Sequence, residues 1–252
     1  MKSIRWDRVH RSVFAGLLLA TLPTLVFADD SDDVNAFVRS RTYIGILGTS
    51  AGFSGSGFGT TALVQSNPYE ITIAPTFAQN FGWGVLLGRR EGPYAAEVSY
   101  WQSVHQGSWT GSYPQGSGGS GSFGQTVQGS ATFNSINLDF KRYFFTDIDI
   151  QPFLALGVNI PWIDVPGSSE TAGSVVGNTT FEGIGFDLGA GVEYYLDTTF
   201  SLTGGVYQRW TGYGQYKGVN NVDEQVQNAD GNPASFTASG LDFYIGASVG
   251  FI

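Results

Sequence analysis

Residues 183–197 read GIGFDLGAGVEYYLD, a stretch in which apolar residues alternate with small or charged ones. The apolar register consists of Ile184, Phe186, Leu188, Ala190, Val192 and Tyr194. The other register holds glycines together with Asp187 and Glu193. Because successive side chains of a β-strand point to opposite faces, the pattern predicts a strand with one apolar face and one small or charged face.

The same alternation recurs along the chain and predicts eight strands, the first starting at Thr42. Three of the seven connections are short, at 91–93, 146–148 and 197–199. The other four are long, at roughly 60–79, 108–128, 165–180 and 218–239. Long and short connections alternate, which puts every long loop at one end of an up-and-down sheet. An even number of strands with this division is the plan of an outer-membrane barrel, so we expect an all-β, eight-stranded antiparallel up-and-down transmembrane β-barrel.

Composition supports a membrane setting for this barrel. Only 13% of the 252 residues are charged, against roughly 25% in ordinary soluble domains. Aromatic residues lie at or near the ends of the apolar registers, where the two membrane interfaces are expected: Trp83, Tyr94, Trp162, Tyr194, Phe200 and Trp210. A soluble barrel with its apolar register inside is the alternative, but its outer face would be rich in glycine and poor in lysine.

The N-terminus predicts export. The basic segment MKSIRWDRVHR is followed by the apolar run VFAGLLLATLPTLVFA, so we assign residues 1–28 to a cleavable signal peptide. Residues 29–40 then form an acidic periplasmic tail, and residues 41–252 form the barrel with four extracellular loops. Cleavage removes four basic residues and Asp7, which takes the net charge from −9 to −12 and disfavours nucleic acid as a partner.

Sequence motifs predict no metal, cofactor or thiol chemistry. The acidic run DDSDD at 29–33 lacks the ligand spacing of a calcium loop. The chain has no cysteine. The glycine-rich GIGFDLGAG does not have the G-x-G-x-x-G spacing of a dinucleotide loop.

The small or charged register is expected to face the barrel interior. If Glu91 pairs with Tyr94 across the first short turn, Gly88 opposes Glu97, and Arg90 and Glu97 share one face. Collecting the charged residues of this register predicts a lumen network of Arg90, Glu97, Asp139, Lys141, Asp187, Glu193, Arg209 and Asp242. Within it, Asp187 and Glu193 are expected to pair with Arg90, Lys141 and Arg209.

Five segments resemble the small eight-stranded outer-membrane β-barrel family that includes the OmpA transmembrane domain, OmpX and the opacity proteins. They are NFGWGVLLGRREGPYAAEVSYW, QPFLALGVNI, FDLGAGVEYYLD, TGGVYQRW and LDFYIGASVGFI. The resemblance implies outer-membrane lipid and lipopolysaccharide as surroundings, and recognition of the C-terminal strand by the barrel-assembly machinery. Here Phe251 is penultimate and Ile252 is last, a departure from the usual terminal aromatic residue.

Three functions are compatible with these expectations. The first is a barrel with a side-chain-filled, charge-paired lumen that serves envelope integrity or binds an extracellular ligand through its loops. The second is a narrow, porin-like channel with a weak preference for cations. The third is a lipid-modifying enzyme with Ser103 and His105 as nucleophile and base, since residues two apart on a strand share a face. We expect no catalysis, because the His-x-Ser spacing associated with barrel deacylases is missing.

Overall fold

A computed structural model describes residues 40–56, 60–64, 67–73, 76–114, 122–165, 179–217, 223–225 and 236–251. The signal peptide and acidic tail assigned to residues 1–40 lie outside the described residues except for Ser40. No helix in the described part of the chain is long and apolar enough to cross a membrane.

The described residues form eleven β-strands. They are β1 (Ser40–Ser56), β2 (Thr60–Val64), β3 (Asn67–Ile73), β4 (Thr76–Glu91), β5 (Tyr94–Pro114), β6 (Ser122–Tyr143), β7 (Ile150–Val165), β8 (Thr179–Tyr195), β9 (Phe200–Lys217), β10 (Asp223–Gln225) and β11 (Phe236–Phe251).

Eight of these strands form a closed antiparallel ring in the order β1, β4, β5, β6, β7, β8, β9, β11. The ring closes where β11 pairs with β1 over fifteen residue pairs, from Thr42 with Phe251 to Ser56 with Thr237. The expected eight-stranded up-and-down barrel is therefore confirmed.

The register of the first hairpin is also as expected. Glu91 pairs with Tyr94, and Gly88 pairs with Glu97. Gly88 has a steric role there, because a Cβ atom at this position would lie 2.4 Å from Cζ of Tyr43.

Regular structure extends into the expected long connections. The segment 60–79 holds the hairpin of β2 and β3, and β3 extends the sheet beside β5. Much of the segment 108–128 is strand, because β5 and β6 remain paired out to Pro114 with Ser122. Its glycine and serine content indicated a loop, but pairs of good strand formers such as Trp109 with Val127 continue the ladder.

The two faces of the ring separate as the alternation predicts. The outward-facing side chains of β8 are exposed and apolar, whereas Asp187 and Glu193 between them are buried. The same division holds on β7, where Leu154, Leu156 and Val158 are exposed, and on β11. The outer surface is thus an apolar belt around a polar interior, the reverse of a soluble barrel.

A hydrogen-bonded polar group borders this belt on the side away from the short turns. The indole Nε1 of Trp83 donates to Gln102 at 3.2 Å, and Nε2 of Gln102 donates to Asn134 at 2.9 Å. Asn134 and Thr180 both donate to the Asp164 carboxylate, at 3.1 and 2.7 Å. Internal pairing of these groups lowers the free-energy cost of placing them beside hydrocarbon.

The β8–β9 turn is held by Asp197. Its Oδ1 accepts hydrogen bonds from the backbone N–H groups of Thr199 and Phe200, at 2.6 and 2.7 Å. These two bonds lower the pKa of the Asp197 carboxyl, with the bond from Phe200 contributing most. The expected turn at this aspartate is confirmed.

The apolar belt yields a test of membrane depth. Leu188 lies midway along the exposed face of β8 and is 53% exposed, whereas Leu196 is 55% exposed but lies in the turn. We expect Leu188→Arg to lower the free energy of unfolding in lipid vesicles by about 2–4 kcal/mol, because it places a charge in hydrocarbon. Leu196→Arg, at the interface, should lower it by about 1 kcal/mol or less. Equal losses of unfolding free energy in urea titrations of the two variants would contradict the inference that Leu188 lies deeper in the membrane than Leu196.

Candidate functional site

The structure places all eight predicted lumen residues in the barrel interior. Each is at most 5% exposed: Arg90, Glu97, Asp139, Lys141, Asp187, Glu193, Arg209 and Asp242. They come from six strands, and the alternation of each strand brings its charged residue to the inner face. They divide into a group near the short turns and a group near the middle of the barrel.

Near the turns, Glu193 pairs with a residue that the sequence prediction did not include. Nη2 of Arg41 lies 2.8 Å from Oε1 of Glu193, and both side chains are buried. Ser201 accepts a hydrogen bond from Arg41 at 2.8 Å and donates one to Glu193 at 2.7 Å. The expectation that Glu193 pairs with Arg90, Lys141 or Arg209 is therefore wrong, since its direct ion-pair partner is Arg41.

Glu97 and Lys141 form the second buried ion pair. Nζ of Lys141 lies 2.7 Å from both carboxylate oxygens of Glu97. The hydroxyl of Tyr43 also donates to Glu97, at 2.5 Å. The ammonium group lies 4.5 Å from the ring centroid of Phe153, within cation–π range. Lys141 thus binds Glu97, and not Asp187 or Glu193 as expected.

Arg90 binds neutral groups. Its guanidinium donates to Oε1 of Gln151 at 2.6 Å, to the backbone oxygen of Gly92 at 2.9 Å and to the hydroxyl of Tyr195. It also lies 4.0 Å from the ring centroid of Tyr143. Arg90 is fully buried, so these contacts replace the water that a guanidinium would otherwise bind.

We call these residues the turn-end network. Its members are Arg41, Tyr43, Arg90, Glu97, Lys141, Tyr143, Gln151, Phe153, Glu193, Tyr195 and Ser201. All are buried, and they fill the lumen between the short turns and the middle of the barrel.

The middle of the barrel contains the third buried ion pair. Nε of Arg209 lies 2.6 Å from Oδ2 of Asp242, and Nη1 of Arg209 donates to Asn137 at 3.2 Å. Asp187 lies beside Arg209 in the β8–β9 register and accepts a hydrogen bond from Asn159 at 3.2 Å. Asp139 occupies the same level on β6, where its register neighbours are Glu97 and Gly157.

A small chamber lies beyond Arg209, toward the long connections. Its lining includes Thr49, Trp101, Ser103, Asn159, Arg209 and Asp242. The lining therefore combines hydroxyl, amide and charged groups with the ring of Trp101. The turn-end network lies on the opposite side of Arg209 and separates this chamber from the short turns.

Ser103 and His105 do share the inner face, as their spacing predicts. Oγ of Ser103 lies 2.8 Å from Nε2 of His105. His105 is fully buried, and its ring packs edge-to-face on Phe133 at 4.9 Å between centroids. The pair therefore lies inside the barrel.

Arg41 and Tyr43 are the principal site residues that sequence reasoning missed. The first strand has only Ile44 and Ile46 as clear outward apolar residues, so its beginning was placed at Thr42. In the structure β1 starts at Ser40. The alternation of Ile44 and Ile46 puts positions 41 and 43 on the inner face. Starting the strand one residue earlier would have found Arg41, whereas Tyr43 was missed because the predicted network contained only charged residues.

Within the described part of the chain, no group of three or more His, Asp or Glu residues is arranged to hold a metal ion. Most of the charged groups in the barrel bind one another, amides or tyrosine hydroxyls.

These features define a class of protein: a transmembrane β-barrel whose interior contains buried ion pairs. The closed ring satisfies its backbone hydrogen bonds internally, and the exposed belt is apolar, as a strand-built membrane span requires. Arg41, Arg209 and the acids that they bind form two of these pairs.

Comparison with known proteins finds similarity among solved structures only. No family model matches the chain, and no curated protein matches it. Among solved structures, Neisserial surface protein A is 18% identical, with 83% of this chain and 97% of that chain covered and a TM-score of 0.46. OprG from Pseudomonas aeruginosa is 11% identical, with 87% and 99% covered and a TM-score of 0.47. Ail, the attachment invasion locus protein of Yersinia pestis, is 9% identical, with 84% and 99% covered and a TM-score of 0.42.

The Arg41–Glu193 pair gives a second prediction. We expect Arg41→Ala to lower the free energy of unfolding by about 3–5 kcal/mol, because it leaves the Glu193 carboxylate buried without its cation. Arg89→Ala is the matched control, since Arg89 pairs with Glu91 at the surface with side chains 37% and 60% exposed. Its loss should be about 1 kcal/mol or less. Comparable urea midpoints for the two variants would contradict a larger contribution of Arg41 than of Arg89 to the free energy of unfolding.

Proposed function

We propose that this protein is an outer-membrane barrel with a closed lumen that anchors long extracellular connections and contributes to envelope integrity or surface interaction. The observation that carries the proposal is the turn-end network, which occupies the lumen with buried, mutually bonded side chains. An eight-stranded barrel has an interior just wide enough for side chains to fill. In this protein the side chains of the turn-end network occupy that space and connect the strands of the ring.

The proposed orientation rests on the start of β1, the end of β11 and the positions of the short turns. The start of β1, the end of β11 and all three short turns lie at one end of the barrel. The pairings that show this are Ser40 with Glu91, Tyr94 with Arg142, Ile150 with Tyr194 and Thr42 with Phe251. In outer-membrane barrels short turns face the periplasm and longer loops face outward. The four long connections then lie on the cell surface, where a ligand would meet them.

The apolar belt supports outer-membrane lipid and lipopolysaccharide as the surroundings. The group of Gln102, Asn134 and Asp164 borders the belt at the proposed outer leaflet, at the height of lipid headgroups. We also propose that β11, which ends the ring at Phe251, is the strand that the assembly machinery recognises. An extracellular ligand would bind at the loops.

The narrow-channel alternative requires the interior charges to line water. Instead, Glu97, Glu193 and Asp242 each have a cation within 2.8 Å, and Arg90 is enclosed by Gln151 and Tyr195. Moving a hydrated ion past these groups would separate buried pairs, which carries a high desolvation cost. The contacts therefore support a closed lumen.

We propose a structural role for Ser103 and His105. Acyl transfer by a serine needs donors aimed at the developing oxyanion as well as a base. Ser103 lies in the middle of β5, paired with Gly82 on β4 and Phe133 on β6, so its backbone N–H belongs to the sheet ladder. The hydrogen bond to His105 then satisfies a buried histidine nitrogen.

Conductance tests the closed lumen. In planar bilayers we expect the wild type to give no stable unitary currents, because the turn-end network blocks the lumen. The double variant Arg41→Ala/Glu193→Ala removes both members of one buried pair and should give measurable currents. Arg89→Ala/Glu91→Ala removes an exposed pair of the same charges and should stay silent. Wild-type currents equal to those of the Arg41/Glu193 variant would overturn the proposal in favour of a channel.

Lipid analysis tests the structural role of Ser103. Wild type and Ser103→Ala are each reconstituted in vesicles of phospholipid and lipopolysaccharide, and the lipids are then analysed by mass spectrometry. We expect identical lipid profiles, because the backbone N–H of Ser103 lies in the sheet ladder and is not aimed at a developing oxyanion. A deacylated product formed by the wild type and absent with Ser103→Ala would establish catalysis.

A further inference from the structure

Two acidic side chains in the middle of the barrel face each other without a cation between them. Asp139 on β6 and Asp187 on β8 both have Gly157 of β7 as their register neighbour. Both residues point into the lumen and are buried, with Asp187 fully so. Nothing in the proposed function of the protein uses this pair.

The geometry brings one oxygen of each carboxyl group together above Gly157. A Cβ atom on residue 157 would lie 2.1 Å from Oδ1 of Asp139 and 2.3 Å from Oδ1 of Asp187. Both oxygens therefore lie close to one point, in space that only the missing glycine side chain leaves open. Neither oxygen has a hydrogen-bond donor among the described residues.

The groups around the pair do not neutralise it. Glu97 is the register neighbour of Asp139 on β5, and Lys141 on β6 binds Glu97. Arg209 is the register neighbour of Asp187 on β9, but its closest carboxylate is Asp242.

Neutral groups complete the surroundings. Asn159 on β7 donates to the other oxygen of Asp187. Tyr207 on β9 and Tyr244 on β11 stack on each other with their centroids 5.5 Å apart, and Trp101 of β5 packs edge-to-face on both. All three rings are buried.

The described buried side chains of the interior include one more carboxyl group than lysine and arginine residues. Among the described buried side chains, the lysine and arginines number four: Arg41, Arg90, Lys141 and Arg209. The carboxyl groups number five: Glu97, Asp139, Asp187, Glu193 and Asp242. One added positive charge would make this set neutral, and an uncompensated charge in such an interior costs several kcal/mol.

We propose that Asp139 and Asp187 form a proton-binding site, in which one proton is held between Oδ1 of one carboxyl group and Oδ1 of the other. Two carboxylates at this separation cannot both ionise without strong repulsion, and a shared proton turns that repulsion into a hydrogen bond. The resulting bond ties β6 to β8 across β7. A metal ion would need further oxygen ligands, and in the described part of the chain no group of three or more His, Asp or Glu residues is arranged to hold one.

Infrared spectroscopy of the folded protein in lipid tests the shared proton. At neutral pH the wild type should show the carbonyl band of a protonated carboxyl group, which is separate from the carboxylate and amide bands. Asp139→Asn and Asp187→Asn keep the side-chain shape, and each should remove this band. Glu91→Gln changes an exposed acid at the rim and should leave it intact. A folded wild type without the band, or a band that persists in both asparagine variants, would overturn the proposal.

Stability measurements separate a proton from a bound metal cation and do not depend on the spectrum. Each asparagine variant should keep the unfolding equilibrium constant within about tenfold of the wild type, because an amide can donate to the remaining carboxylate. Exchanging sodium, potassium and magnesium chloride at fixed ionic strength should not change the wild type relative to Asp187→Asn. A tenfold stabilisation of the wild type by one cation, absent in Asp187→Asn, would show that a metal ion occupies the gap and would overturn the shared proton.

Discussion

The pairing of β1 with β11 is the constraint on which the rest of the structure depends. Without it the sheet would present two unpaired edges, which hydrocarbon does not tolerate because it offers no hydrogen-bond partners. Closure also gives every ring strand an inside and an outside. The period-two alternation of the sequence then sorts apolar side chains to lipid and charged or small ones to the lumen.

The interior that results is a core held by charge and hydrogen bonding. Buried ion pairs are weak sources of net stability, because desolvation offsets their attraction, but breaking one leaves an uncompensated charge. Arg41, Glu193 and Ser201 bond mutually, and the loss of either charged member exposes the other to that penalty. Such a core ties together distant parts of the ring more specifically than apolar packing would.

Most of the fold could be predicted from the sequence because alternation and turn position are local properties. The stretch around Asp187 identified both faces of β8, and the turn at Glu91 identified the register of a hairpin. The continuation of β5 and β6 to Pro114 and Ser122 could not be predicted, since a serine- and glycine-rich composition is shared by loops and by weak strands.

The partners inside the lumen depend on closure and were harder to predict. Glu193 could be assigned to the inner face from its own strand, but its ion-pair partner Arg41 is 152 residues away in sequence. Register around the whole ring determines which inward residues reach one another across the lumen. For the same reason Arg90 was expected to bind an acid and instead binds Gln151 and Tyr195.

The Arg41–Glu193 pair links the first strand of the ring to one of the last, and this has a kinetic consequence. Contacts between residues far apart in sequence form late, because a long loop must first be ordered, and they slow folding. While β1 and β11 are apart, the ring is open and Arg41 cannot reach Glu193 across the lumen. The completed pair therefore reports that the ring has closed. Its absence would distinguish an inserted but open sheet from the mature barrel.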